Sequence, residues 1–205
     1  MDFEIFSQRS LSYSGLIIVG FVFIHLAGLV YAGINPNGFE IYASNLHSNI
    51  FLPYVEIGLT FTFFIHLILT FNKVVRNISN TNKASLISRR DDFLGVLAYK
   101  IQPLSGLILA LFLFIHLFQL RFPRPEVNLE LASLKNNLES IQNLVLYCLA
   151  SISLFFHMFQ GIESGHRSLG ILNTKNSLNI RYVGRFISIL FGLSFLIVTF
   201  YLRFI

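Results

Sequence analysis

Residues 14–26 read SGLIIVGFVFIHL, and residues 105–117 read SGLILALFLFIHL. The two stretches agree at nine of thirteen positions. Shared Leu and Phe are expected of any apolar segment, but a matched Ser-Gly and a matched His are not. Two further apolar runs carry a central histidine, FTFFIHLILT at 61–70 and ISLFFHMFQG at 152–161. His25 to His66 and His116 to His157 are both 41 residues apart, so the chain repeats a pair of histidine-bearing segments.

Of the 205 residues, 54% are hydrophobic and 12% are charged. A soluble domain averages about 25% charged. The chain therefore reads as an all-α integral membrane protein, one transmembrane bundle over residues 1–205. Five segments reach the roughly 20 apolar residues that a span needs, at about 11–33, 50–71, 101–120, 143–162 and 183–204. Their length and continuity indicate helices, because lipid offers the backbone no hydrogen-bond partners. The acidic start MDFEIFSQRS, with no small-residue cleavage site after the first apolar run, predicts that the first span is retained. Cys148 is the only cysteine, which excludes an intrachain disulfide, a cysteine-ligated cluster and a C-x-x-C-H haem attachment. It reads as inert packing.

The net charge of +5 is a matter of topology rather than of nucleic-acid binding. Arg9 precedes the first span. Lys73, Arg76, Lys83, Arg89, Arg90 and Lys100 follow the second, and Arg167, Lys175, Arg181 and Arg185 follow the fourth. These are 11 of the 15 Lys and Arg. The loop after the third span has Arg121, Arg124 and Lys135, offset by Glu126, Glu130 and Glu139. The positive-inside rule then puts the N-terminus in the cytoplasm and the C-terminus outside. The first loop is expected to turn at Asn35-Pro36-Asn37-Gly38. The later part of the third loop is expected to form an amphipathic helix on the outer surface.

An ionisable residue in mid-membrane is expensive and usually functional, and four of them need a common reason. At about 1.5 Å per residue, His25 and His116 lie roughly 21 Å from the inner ends of their spans. His66 and His157 lie roughly 21 to 24 Å from the outer ends of theirs. The histidines thus sort into an outer pair, His25 with His116, and an inner pair, His66 with His157. Two histidines at one depth on facing helices are what bis-imidazole ligation of a haem requires. The expected cofactors are two b-type haems, with these four residues as the iron ligands.

Neighbouring small residues fit the same frame. Ser14 precedes His25, and Ser105 precedes His116, by eleven residues, close to three turns. Ser14-Gly15 and Ser105-Gly106 would let the inner haem approach and would hydrogen-bond its propionates. Gly161 and Ser164 follow His157 by four and seven residues on its face. Small residues also promote helix packing in membranes with no haem present. Thr62 and Ser153 each precede an inner histidine by four residues, where bonding back to the helix is the usual fate.

A proton path would recruit acids beside the histidines. The span centres hold none, since Glu56 is near an outer end and Glu163 near an inner one. His47 and His166 fall in loops. His47 shares the outer side with Glu40 and Glu56, where a quinone headgroup would exchange protons. His166 begins the basic inner loop with Arg167, a place for haem propionates or a partner protein. Ordinary polar loop roles account for both residues as well.

At this point the chain resembles a known family, the dihaem cytochrome b anchor of bacterial succinate dehydrogenase or fumarate reductase. The resemblance rests on five spans with one His in each of the first four. It rests more specifically on the Gly15-to-His25 spacing, on QPLSGLILALFLFIH at 102–116, and on HMFQGIESGHRSLG at 157–170. The last matches a His-x-x-x-Gly-x-x-Ser pattern with a later Gly, here His157, Gly161, Ser164 and Gly170. The resemblance implies a proximal haem on His66 and His157 and a distal haem on His25 and His116. It also implies a flavoprotein and an iron–sulfur partner on the cytoplasmic face, and a quinone substrate served by an outer glutamate, Glu40 or alternatively Glu56. Some fumarate reductases carry a glutamate two residues before the fourth-span histidine, where this chain has Phe155.

The expected protein is therefore the membrane subunit of a succinate:quinone oxidoreductase in a bacterial cytoplasmic membrane, with the dicarboxylate site on a partner. A dihaem cytochrome of a hydrogenase or formate dehydrogenase is the nearest alternative. A haem-free transporter or structural anchor is the alternative from another class.

Overall fold

A computed structural model describes residues 2–79, 92–123, 125–126 and 128–204. Lys83, Arg89, Arg90 and Arg124, four of the cations that set the expected orientation, lie outside the described residues. The described chain is helical, with no strand among its elements. In order they are α1 (Asp2–Ile34), α2 (Pro36–His47), α3 (Leu52–Ser79), α4 (Phe93–His116), a π-helical turn (Leu117–Arg121), α5 (Glu130–Glu139), α6 (Ile141–Ser168) and α7 (Ser177–Phe204). Among them α1, α3, α4 with its π turn, α6 and α7 are long and apolar enough to cross a membrane.

These helices run past the apolar boundaries read from sequence. Once a helix is nucleated, each added residue gains a backbone hydrogen bond, so it continues until something stops it. At the end of α6 the stop is Gly170. It adopts φ 73°, a left-handed conformation favoured by glycine. The Leu169 and Ile171 N–H groups then cap the Gly165 and His166 carbonyls at 3.0 Å each.

The turn expected at Asn35-Pro36-Asn37-Gly38 is instead the start of α2. Asn35 Oδ1 accepts the Gly38 N–H at 3.0 Å. Pro36 occupies a first-turn position, where a missing N–H costs nothing. Asn-Pro is a helix-start signal here, because the chain continues from it as a helix to His47. The helix expected late in the third loop is present as α5. Its first two amides, Glu130 and Leu131, donate to the Glu40 carboxylate of α2 at 3.2 and 2.8 Å.

Packing arranges the spans so that the histidines face one another. α1 packs along α3, α4 along α6, and α1 along α6. Across the fourth side, α3 and α4 meet through Phe63 and Phe64 against Phe114, with ring centroids 6.0 and 6.4 Å apart. The pairs α1/α4 and α3/α6 are the diagonals of this four-sided bundle, and neither packs closely backbone to backbone. The repeat relates the two halves by a constant offset of 91 residues, which carries His25 onto His116 and His66 onto His157. It maps α1 and α3 onto α4 and α6.

α7 lies outside the repeat and seals α6 and α1. Gly184, Ser188 and Gly192 form a small-residue stripe at helical spacing. A Cβ on Gly192 would lie 2.7 Å from Phe155 Cβ, and one on Gly184 would lie 2.9 Å from Ile162 Cγ2. Phe191 packs beside the stripe with Leu26 and Met158 in a buried cluster. Apolar side chains such as Phe23, Ile57, Leu107 and Phe186 cover the outside of the bundle, as lipid contact requires.

Candidate functional site

The four histidines meet in two pairs. His25 and His116 have ring centroids 6.0 Å apart and planes at 80°. His66 and His157 have centroids 6.3 Å apart and planes at 69°. A metal between two imidazoles, at roughly 2 Å per bond, places the ring centres roughly 6 to 6.5 Å apart. Among the described residues no group of three or more His, Cys, Asp and Glu comes together to hold a metal ion.

The His66/His157 pair lies against the first turns of the two Ser-Gly segments. Ser14 Oγ is 3.1 Å from His66 Nδ1 and also donates to the Leu11 carbonyl at 3.0 Å. Ser105 Oγ donates to the Gln102 carbonyl at 2.9 Å. A Cβ on Gly15 would lie 3.3 Å from His66 Cε1, and one on Gly106 would lie 3.2 Å from His157 Cε1. His157 Nδ1 is buried without a hydrogen-bond partner. Ser164 Oγ bonds back to the Gly161 carbonyl at 3.1 Å, and Thr62 Oγ1 to Gly58 at 2.8 Å.

The His25/His116 pair is held by aromatic faces. Phe21 stacks on His25 at 5.7 Å, and Phe112 stacks on His116 at 5.3 Å. His116 Nδ1 lies 2.9 Å from Tyr147 Oη, a contact that sequence reasoning missed. One signal for it was available, because Tyr147 stands 91 residues after Glu56, an acid already singled out.

Of the three residues proposed for quinone, two meet at Glu130, and the third pairs with Arg121, whose charge also acts on Glu130. Glu40 caps α5, and His47 Nδ1 lies 2.8 Å from Glu130 Oε1, so these two sit near one another at the α5 helix start. Burial pushes the Glu130 carboxyl up, and Glu40 adds to this while His47 opposes it. Glu56 instead pairs with Arg121 of the π turn.

The opposite, basic end is knitted by a buried acid, Glu163, and a half-buried one, Asp92. Glu163 is 5% exposed and lies 3.0 Å from Arg167 and 3.4 Å from Arg181. Asp92 caps α4 through the Gly95 N–H at 3.1 Å and pairs with Arg185. Burial pushes the Asp92 carboxyl up, but the Gly95 and Arg185 hydrogen bonds outweigh it and hold the carboxyl below its ordinary value. His166, beside Arg167, spends its Nδ1 on the Ile162 carbonyl at 2.7 Å.

Fold and site together define a multi-pass membrane protein with two half-buried histidine pairs in one bundle. No family model matches the chain, and no curated protein or solved structure matches it.

Proposed function

We propose that this chain is a dihaem cytochrome b, the membrane subunit of a succinate:quinone oxidoreductase. The observation that carries the reading is the pairing of His25 with His116 and His66 with His157 at ligation spacing across the bundle diagonals. His66 and His157 would hold one haem, with Gly15 and Gly106 leaving room beside the ligands. His25 and His116 would hold the other. Bound haem iron supplies one-electron acceptance and release.

The chain's own residues orient the imidazoles and keep water from them. The concentration of Arg and Lys at the His66/His157 end supports a cytoplasmic placement of that end. There Arg167, Lys175, Arg181 and Arg185 are the candidates for docking an iron–sulfur protein and a flavoprotein that carries the dicarboxylate site. The α2/α5 end, with Glu40, His47, Glu56 and Glu130, would face outward, where quinone protons exchange.

The reading is tested by purifying the intact complex from native membranes and identifying the soluble subunits. A flavoprotein and an iron–sulfur protein with succinate:quinone activity would support it. A hydrogenase or formate dehydrogenase subunit would reassign the cytochrome. In the same preparation, His66→Ala should remove one haem and leave the haem at His25/His116 in place.

A further inference from the structure

Beyond the His25/His116 pair lies an assembly of side-chain amides. Gln119 Nε2 donates to Asn143 Oδ1 at 2.9 Å, and Asn143 Nδ2 donates to Asn137 Oδ1 at 2.9 Å. Asn137 Nδ2 donates to Gln119 Oε1 at 3.4 Å, closing a ring of three amides. The ring fixes the orientation of each amide, because reversing one would set donor against donor. Asn137 retains a second N–H, and its Nδ2 also reaches Tyr147 Oη at 3.2 Å. Tyr147 Oη is thereby located by Asn137 on one side and by His116 on the other.

The assembly draws on three separate elements. Gln119 is on the π turn that begins immediately after His116, Asn137 is on α5, and Asn143 and Tyr147 are on α6. π turns inside helices are frequent at functional sites. The repeat supplies an internal comparison. At the position equivalent to Tyr147, the first half has Glu56, which is engaged with Arg121. His66 Nδ1 meets the lone hydroxyl of Ser14 at 3.1 Å, whereas the partner of His116 Nδ1 is held by a ring of amides.

We infer that Tyr147, held in place by the Gln119–Asn137–Asn143 ring, is a positioning residue that accepts the Nδ1–H of His116 and sets the strength of that imidazole as an iron ligand. The inference rests on the haem reading above. An imidazole that ligates through Nε2 carries its proton on Nδ1 and must donate it. An acceptor at Nδ1 fixes the ring and raises its basicity toward the metal. A more basic ligand favours ferric over ferrous iron, so loss of the acceptor should raise the potential. A merely structural hydrogen bond would leave the potential where it is.

The experiment is a redox titration of the purified complex, followed optically, for wild type, Tyr147→Phe, Asn137→Ala and the double variant. The component missing from His25→Ala identifies the haem at His25/His116. In Tyr147→Phe that component should move upward by a threefold to tenfold change in its reduced-to-oxidised ratio, tenfold being about 59 mV for one electron. The other component should not move. Asn137→Ala should shift the same component by less. The double variant should match Tyr147→Phe, because the ring acts through Tyr147. Unmoved potentials in the single variants, or equal movement of both haems, would overturn the inference. If Tyr147→Phe does not fold, an unmoved potential in Asn137→Ala alone overturns it. A wild-type complex without two haems would sink the haem reading itself.

Discussion

Gly106→Val should expel one haem and spare the other. An ideal Cβ at Gly106 lies 3.2 Å from His157 Cε1 and 3.3 Å from Nδ1. Alanine would therefore press the ring back by a few tenths of an ångström, partly offset by about 0.5–1 kcal/mol of helix propensity gained over glycine. Valine is different in kind. Its two methyls each reach about 1.5 Å beyond Cβ, so the imidazole must turn out of line. Overpacking of this sort costs about 1–3 kcal/mol, which corresponds to roughly 5- to 150-fold weaker retention of the haem. Gly15→Val should act on the same haem from the other helix, because its Cβ would lie 3.3 Å from His66 Cε1. The control is Gly20→Val, also on α1, where nothing lies within 4 Å of the new Cβ. The assay is haem per purified chain, with the spectrum of each component compared with those of the His→Ala variants. Loss of the His25/His116 component, or equal losses from Gly20→Val and Gly106→Val, would refute the reasoning.

The polar contacts give three further expected outcomes. Glu163→Gln leaves Arg167 and Arg181 facing a neutral amide. The cations are partly exposed, so the cost should be about 1–2 kcal/mol rather than the 3–5 of a fully buried pair. It would be read as a lower thermal midpoint in detergent. Glu40→Ala removes the carboxylate from the first amides of α5 and should cost about 0.5–2 kcal/mol. Amide exchange should accelerate at residues 130–134 and not in the spans. Asp92 has a folded pKa below its ordinary value of 3.8, so its stabilisation is present above that value and fades as pH falls through the depressed one. Thermal midpoints of wild type and Asp92→Asn should therefore differ near pH 6 and converge in strong acid. A gap that persists there would contradict the assignment.

The parts of this architecture legible in the sequence were those written in apolar length and spacing. The five spans followed from runs such as residues 14–26. The histidine partners followed from rise per residue alone, and the structure brings the same residues together. Ser14 and Gly15 were placed beside the inner pair by three turns of helix, and Ser14 Oγ is 3.1 Å from His66.

The illegible parts depend on contacts between elements far apart in the chain. Tyr147 reaches His116 across 31 residues, and the amide ring needs the π turn, α5 and α6 in place at once. Periodicity carries no information about such a meeting. The resemblance singles out Glu40, with Glu56 as the alternative, and its carboxylate is met by the α5 amides, 90 and 91 residues away. Asn35-Pro36 was ambiguous for a local reason, since the same dipeptide opens a turn or caps a helix according to the residues on its C-terminal side.

The central claim is that the two histidine pairs each bind one haem without covalent attachment. A reduced-minus-oxidised optical spectrum of the purified protein, with haem quantified per chain, tests it directly. Two b haems per chain are expected, both extractable by acidified organic solvent. One haem per chain, or none in a folded native preparation, would contradict it.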